Sequence, residues 1–297
     1  MSHQSGITGL GTTDHIFLEF DLAPGADGCA VLRHLAEAIN LPTTHGVNVV
    51  LGVRPSLWAE VADAEYVPDK VHDFSEPISG STMSMPATQH DAWLWVAGSS
   101  RSQVFDISRT IANTVRESAN LVEETTGWVY QHNRDLTGFE DGTENPPALE
   151  APSVVAVPEG RPGAGSSVLL YQLWEHKAVE WEALQAHIQE QIIGRTKSDS
   201  VELDEDTNPE SSHVNRTVVE VGEDELEIFR RNVSYGDMST HGTVFVGFSF
   251  DQWRMEEMLR RMAGVDGGPA DRLTEFTTPL SGGWYVCPST QALASLL

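Results

Sequence analysis

What most restricts the fold of this chain is a repetition of element order rather than of sequence. In the first half, HIFLEF (15–20), GVNVVLGV (46–53), AWLWV (92–96) and GWVYQ (127–131) are short apolar runs rich in β-branched and aromatic residues, the pattern of strands. Between the first two lies GCAVLRHLAEAIN (28–40), with helical character. Between the last two, Val104, Ile107, Ile111 and Val115 recur at helical spacing. An irregular stretch from about 62 to 90 separates the second and third strands. The order is β-α-β-β-α-β.

The second half repeats it. SVLLYQLW (167–174) predicts a strand, and Trp181, Leu184, Ile188 and Ile192 predict one helix face ending at Gly194 as a C-terminal cap. An acidic loop follows at 197–212. HVNRTVVEV (213–221) and EIFRRNV (227–233) read as extended and TVFVGFSF (243–250) as a strand. Met255, Met258, Leu259 and Met262 then line one helix face ending at Gly264, a core stripe. GWYVC (283–287) supplies the last strand. Each half is the split pattern of a ferredoxin-like unit. The expected fold is α+β: tandem duplicated ferredoxin-like units, antiparallel sheets with peripheral helices. The expected division is residues 1–149, a Pro/Gly-rich linker at 150–166, and residues 167–297.

Composition narrows the function classes. At 297 residues, with 40% hydrophobic and 21% charged residues, the chain is that of a soluble globular protein. No apolar run approaches the roughly 18 residues a spanning helix needs, and the first residues lack the basic start and apolar core of a secretory signal. A net charge of −26 repels phosphate backbones and anionic lipid, which argues against nucleic acid and membrane as partners. Two cysteines, Cys29 and Cys287, are too few for a disulfide framework or a thiolate metal site. These features lead to an expected cytoplasmic location.

The segment TGFEDGTENPP (137–147) places three carboxylates among glycines, asparagine and prolines. Asp141-Gly142 and Asn145-Pro146 are turn dipeptides, and a surface turn would account for it. Alternatively, Gly138 and Gly142 let the backbone run close beneath something bulky while presenting Asp141 to it. The eleven histidines contain no HxxxH or HExxH spacing, so a multi-histidine zinc site is not supported. His213, at the end of the acidic loop, could face a cavity alone. In EIFRRNV, alternation sends Arg230 and Arg231 to opposite faces, and an inward arginine needs an anionic partner or ligand.

GFEDGTENP resembles the GxxDG motif of the dye-decolourising peroxidases. SHVNR (212–216) and IFRRNVSYG (228–236) resemble that family's proximal-histidine and distal-arginine segments. IGRTKSDSVEL (193–203), GTVFVGFS (242–249) and GGWYVCPS (282–289) agree in order and spacing, and the likeness runs over essentially the whole chain, in the manner of the bacterial cytoplasmic branch. The resemblance implies a tandem ferredoxin-like fold holding one heme b in the second unit. It implies that His213 is the axial ligand to the heme iron. Asp141, Arg230 and Asn232 would then be catalytic residues on the peroxide-binding face. Phe245 would be an apolar wall, and Arg195 and Arg216 would contact the cofactor. Asp271 would accept a hydrogen bond from the other nitrogen of His213, with Glu275 one helical turn away as the competing carboxylate.

The implied activity is reduction of hydrogen peroxide to water with oxidation of a small aromatic or dye-like donor. An acidic optimum follows if Asp141 is the base, since a carboxylate stays ionised where a histidine would be protonated. A heme- or porphyrin-handling protein with incidental peroxidase activity would share every one of these contacts, and a cofactor-free ferredoxin-like module would need none of them. The family leads one to expect a homo-oligomer. The chain ends at PSTQALASLL without a separate tail, so packaging in an encapsulating shell is not expected.

Overall fold

Eight strands close into a ring in the computed structural model, which describes residues 2–222 and 224–297. In chain order they are β1 (Asp14–Leu22), β2 (Val47–Val53), β3 (Ala92–Gly98), β4 (Ala119–Trp128), β5 (Ser167–His176), β6 (Val233–Gly236), β7 (His241–Ser249) and β8 (Gly283–Cys287). The first four lie in the order β4-β1-β3-β2 and the last four in the order β8-β5-β7-β6, all antiparallel. Fourth-first-third-second is thus the arrangement in both halves, the duplication expected from element order. The sheets join at two seams. Val53 of β2 pairs with Val286 of β8, and Gly127 and Trp128 of β4 pair with Tyr235 and Ser234 of β6. Closure leaves the ring without a free edge.

Alternation assigns each strand residue to the barrel interior or to a helix layer. In β3, Trp93 and Trp95 point inward with Phe17, Tyr171 and Tyr285, while Leu94 and Val96 point outward. The outward residues of the first sheet are covered by helices Gly28–Ile39, Arg101–Val115 and Thr290–Leu296. On the second sheet, Val168, Leu170 and Trp284 pack against Met255, Met258, Leu259 and Met262 of helix Gln252–Met262. Burial on both faces explains why AWLWV is an unbroken apolar run.

Three local expectations differ from the structure. The strand read at 127–131 spans Ala119–Trp128 and stops there, because Gln131, His132 and Asn133 adopt positive φ of 31°, 60° and 65°. Its exposed first half, NLVEE, carries no strand-like alternation and is ordered by pairing with β1. The helix read through Trp181 and Ile192 is two short ones, Ala178–Glu182 and Ala186–Ile193, broken at Gln185, which has an extended backbone. Gly194 closes the second at φ 94°. Residues 213–217, read as extended from their β-branched content, form a helical turn. Ser212 caps it, its Oγ accepting from the Asn215 N–H at 3.3 Å. After β8, Ser289 caps helix Thr290–Leu296, which buries Ala292, Leu293 and Leu296 against the first sheet. Within 150–166, residues Ala151–Val155 form a short helix, with Ala151 and Val155 buried. Among the described residues no helix is long and apolar enough to cross a membrane.

Candidate active site

The outer face of the second sheet does not fill with helix along its whole length. Gln172 and Trp174 of β5 and Thr243 and Phe245 of β7 form the floor of a cavity enclosing roughly 1410 Å³ of space, part of it open to solvent. Helix Gln252–Met262 supplies one apolar side through Met258, Leu259 and Met262, and the 137–144 loop roofs another. Phe245, anticipated as an apolar wall, lines this cavity.

His213 begins its helical turn at this wall because Ser212 caps the turn. The ring Nδ1 and Asp271 Oδ2 lie 2.6 Å apart. Asp271 is 1% exposed, and its other oxygen accepts from the Leu273 N–H at 2.9 Å, so the carboxylate is held from both sides. The bond fixes the ring orientation and leaves Nε2 for the cavity that the ring lines. Asp271, not Glu275, is the partner; the Glu275 carbonyl instead accepts from Lys177 Nζ.

A second, smaller cavity adjoins the first. Asp135, Asp141, Arg230, Asn232 and Thr243 line both, whereas His213 and Asp271 line only the first. The carboxylate and guanidinium at positions 141 and 230 therefore stand on the side away from His213. Loop 137–147 reaches this wall by two positive-φ glycines, Gly138 (91°) and Gly142 (81°). A Cβ at Gly138 would meet only the flexible end of Lys197, so it is the positive φ that calls for glycine there. Asn145 then ties the loop to the segment that carries Arg230. Its Nδ2 donates to the Arg230 carbonyl, and its Oδ1 accepts from the Arg230 N–H, both at 2.8 Å.

The two arginines separate as alternation requires. Arg230 pairs with Gly247 across the sheet and lines the cavity. The edge is broken at residues 231 and 232, where Asn232 Oδ1 accepts the Val246 N–H at 2.9 Å. Arg231 turns the other way, 5.0 Å over the Trp95 ring, and donates to Ile7 O and Thr12 Oγ1. Burial lowers its pKa to about 10.

Two other expected cofactor contacts are occupied by the protein itself. Arg195 lines the cavity, but its guanidinium donates to Glu144 (2.5 Å), Glu202 (3.1 Å) and the Ser200 carbonyl. Arg216 does not line the cavity. It is 3% exposed and donates to both oxygens of Asp266 and to the Arg261 carbonyl, a structural tie between its helical turn and the end of helix Gln252–Met262. The family resemblance implied a cofactor contact for Arg216; the helical turn that sets His213 at the cavity directs Arg216 to Asp266 instead.

Asp135 escaped notice in the sequence. Burial opposes its charge, but His176, Thr243 and Thr137 outweigh that and hold its pKa below the usual carboxylate range. It accepts from the Thr137 N–H at 2.7 Å and from Thr243 Oγ1, which also meets His176 Nε2 at 3.0 Å. Nothing in local pattern marks it, because its partners come from β5 and β7. Asn145 was visible only as a turn residue.

Residues 4–129 match the model of the Dyp-type peroxidase N-terminal domain and residues 132–292 that of the C-terminal domain, so the 137–147 loop falls in the C-terminal match. The chain is 33% identical over 283 residues to a dye-decolorizing peroxidase of Mycobacterium tuberculosis, covering 91% of this chain and 84% of that one. A variant of DypB from Rhodococcus jostii RHA1, solved in complex with heme, superposes with a TM-score of 0.88 at 29% identity over 97% of each chain. The encapsulated DyP-type peroxidase from Mycobacterium smegmatis does so at 0.88 and 28%, over 96% of this chain and 95% of that one. With both family models matched in tandem along one continuous barrel, this chain belongs to the Dyp-type, dye-decolorizing peroxidase family.

Proposed function

We propose that this chain binds heme b in the larger cavity, where His213 Nε2 would hold the iron, and reduces hydrogen peroxide with electrons from small aromatic or dye-like donors. The observation that carries the proposal is the 2.6 Å His213–Asp271 contact at one wall of an apolar cavity whose other side presents Asp141 and Arg230. The donor set suits a metal that brings most of its own ligands. Among the described residues no three His, Cys, Asp or Glu side chains gather to hold an ion, yet one imidazole nitrogen is left for the cavity. The walls suit a flat apolar ring.

Bound there, heme b supplies the redox chemistry that splits the O–O bond and withdraws single electrons from aromatic donors. The residues supply the rest. Asp141 takes a proton from one peroxide oxygen and delivers it to the other, which leaves as water. Arg230, permanently charged, stabilises negative charge on the departing oxygen. Asn232 is the third polar group on that side, though its oxygen is already engaged by Val246 N–H. Asp271 makes His213 the stronger electron donor. A carboxylate in the proton-transfer role favours activity in acid. Free Cys29 and Cys287 favour a reducing, cytoplasmic setting.

Purified protein should show a Soret band and sustain peroxide-dependent oxidation of a phenol or dye. Heme uptake with iron release but no such turnover would replace this reading with heme handling.

A further inference from the structure

The barrel interior contains groups that the chemistry at the cavity leaves unused. Glu19, on β1, is 4% exposed, and its Oε1 accepts a hydrogen bond from the Tyr285 hydroxyl at 2.5 Å. A carboxyl group inside an aromatic barrel carries a desolvation cost that an apolar residue of the same size would avoid. Burial pushes its pKa up to about 7, and burial next to Glu19 raises the Tyr285 phenol well beyond its ordinary range. The charged groups that act on Glu19 are His90, which favours its ionisation, and Glu123 and Asp21, which oppose it.

A column of rings joins this pair to the cavities. Tyr285 lies 6.3 Å from Trp93, and Trp93 lies 6.3 Å from Trp95 and 5.6 Å from Tyr171, centroid to centroid. Trp95 stacks on His15 at 5.6 Å, and His15 lines the smaller cavity together with Asp141 and Arg230. Tyr171 reaches the larger cavity by another route. Its chain neighbour Gln172 faces that cavity from the opposite side of β5, so one sheet thickness separates the Tyr171 ring from it. Indole and phenol are the side chains that most readily give up a single electron. A phenol gives up its electron far more easily when a base can take its proton.

We propose that Tyr285 is a resident one-electron donor to the oxidised cofactor, connected to it through Trp93, Trp95 and Tyr171, with Glu19 as the acceptor of its phenolic proton. The inference rests on the proposed function for its oxidant. The Tyr285 O–H bond breaks, its proton forms a bond to Glu19 Oε1, and one electron passes along the rings to the centre that peroxide has oxidised. A neutral tyrosyl radical remains. An electron from an aromatic donor, with return of the proton from Glu19, restores the phenol. The pair thereby drains oxidising equivalents inward when no external donor is bound.

The test mixes holoprotein at about pH 8, where Glu19 with its pKa of about 7 is ionised, with one equivalent of hydrogen peroxide in the absence of donor, records the absorption spectrum, and freezes the sample for electron paramagnetic resonance. The expected result is a tyrosyl signal in the wild type that is lost in Tyr285→Phe, which removes only the hydroxyl. It is also lost in Glu19→Gln, which preserves volume and a hydrogen-bond acceptor but removes the base. A Soret band with no tyrosyl signal in the wild type, or with a signal unchanged in both variants, overturns this inference and leaves the proposed function standing. A sample without a Soret band overturns both.

Discussion

Asn145 grips the backbone of Arg230 at both of its polar groups, accepting from the N–H and donating to the carbonyl, each at 2.8 Å. One side chain from the 137–147 loop thus takes the place of a strand partner for the residue that brings a guanidinium to the cavity. The position of Arg230 relative to Asp141 is set by this clamp, since both residues hang from the two segments it joins. Asn145→Ala leaves two part-buried backbone groups without these partners, a loss of up to about 1–3 kcal/mol for each such group. We expect it to slow the reaction with peroxide, measured by stopped-flow absorbance, in the same direction as Arg230→Leu. That second variant should slow the reaction by at least about tenfold, the size of comparable electrostatic contributions. Full rate in Asn145→Ala would show that Arg230 is positioned by the sheet alone.

His213 and Asp271 make separable predictions. His213→Ala should fail to retain heme, leaving no Soret band after purification. Asp271→Asn keeps the ring in place but weakens its electron donation, and should lower activity by about 10- to 100-fold with heme still bound. Retention of both spectrum and turnover by His213→Ala would remove the basis of the proposed function.

Peroxidase activity should persist as pH falls below neutral, because a carboxylate in the proton-transfer role, of ordinary pKa about 3.9, keeps its charge where a histidine, about 6.5, would be protonated. Asp141→Ala should lower the rate and flatten this profile. A profile that climbs steadily toward alkaline pH would assign proton transfer to another group. Asp135, held ionised by His176, Thr243 and Thr137, is the first alternative.

Glu19 links the barrel to pH in a defined direction. Its folded pKa is raised from 4.5 to about 7, so between those values the folded chain binds a proton that the unfolded chain has lost. Stability from this group is present below about pH 4.5 and is lost as pH rises toward 7, by about 3 kcal/mol in total. Glu19→Gln should therefore gain stability relative to wild type as pH rises through that window, as read by urea denaturation at several pH values. A difference independent of pH would mean that Glu19 titrates normally.

Arg216, absent from the cavity lining, should prove structural. Arg216→Ala removes its hydrogen bonds to Asp266 and Arg261 and should destabilise the fold by on the order of 3 kcal/mol. The Soret maximum of the folded fraction should not move. A spectral shift without a stability loss would return Arg216 to the cofactor site.

The sequence by itself determined the duplicated β-α-β-β-α-β order and named most of the polar residues that line the candidate site. Apolar runs such as AWLWV announce strands buried on both faces, and Met255, Met258, Leu259 and Met262 announce a helix face, because these periodicities are local. The motifs around Asp141, His213, Arg230 and Phe245 were legible as short segments in register, and all four residues line one cavity. What only the tertiary structure decided lies in contacts between distant segments. β4 begins at Ala119 because β1 pairs with it, not because NLVEE favours a strand. Asp271 rather than Glu275 meets His213, and Arg216 turns to Asp266, because a helical turn and its cap set the directions of side chains that sequence spacing leaves ambiguous. Asp135, Asn145 and the Glu19–Tyr285 pair were invisible for the same reason. Each owes its role to a partner 85 or more residues away, brought near only when the two sheets close on one another.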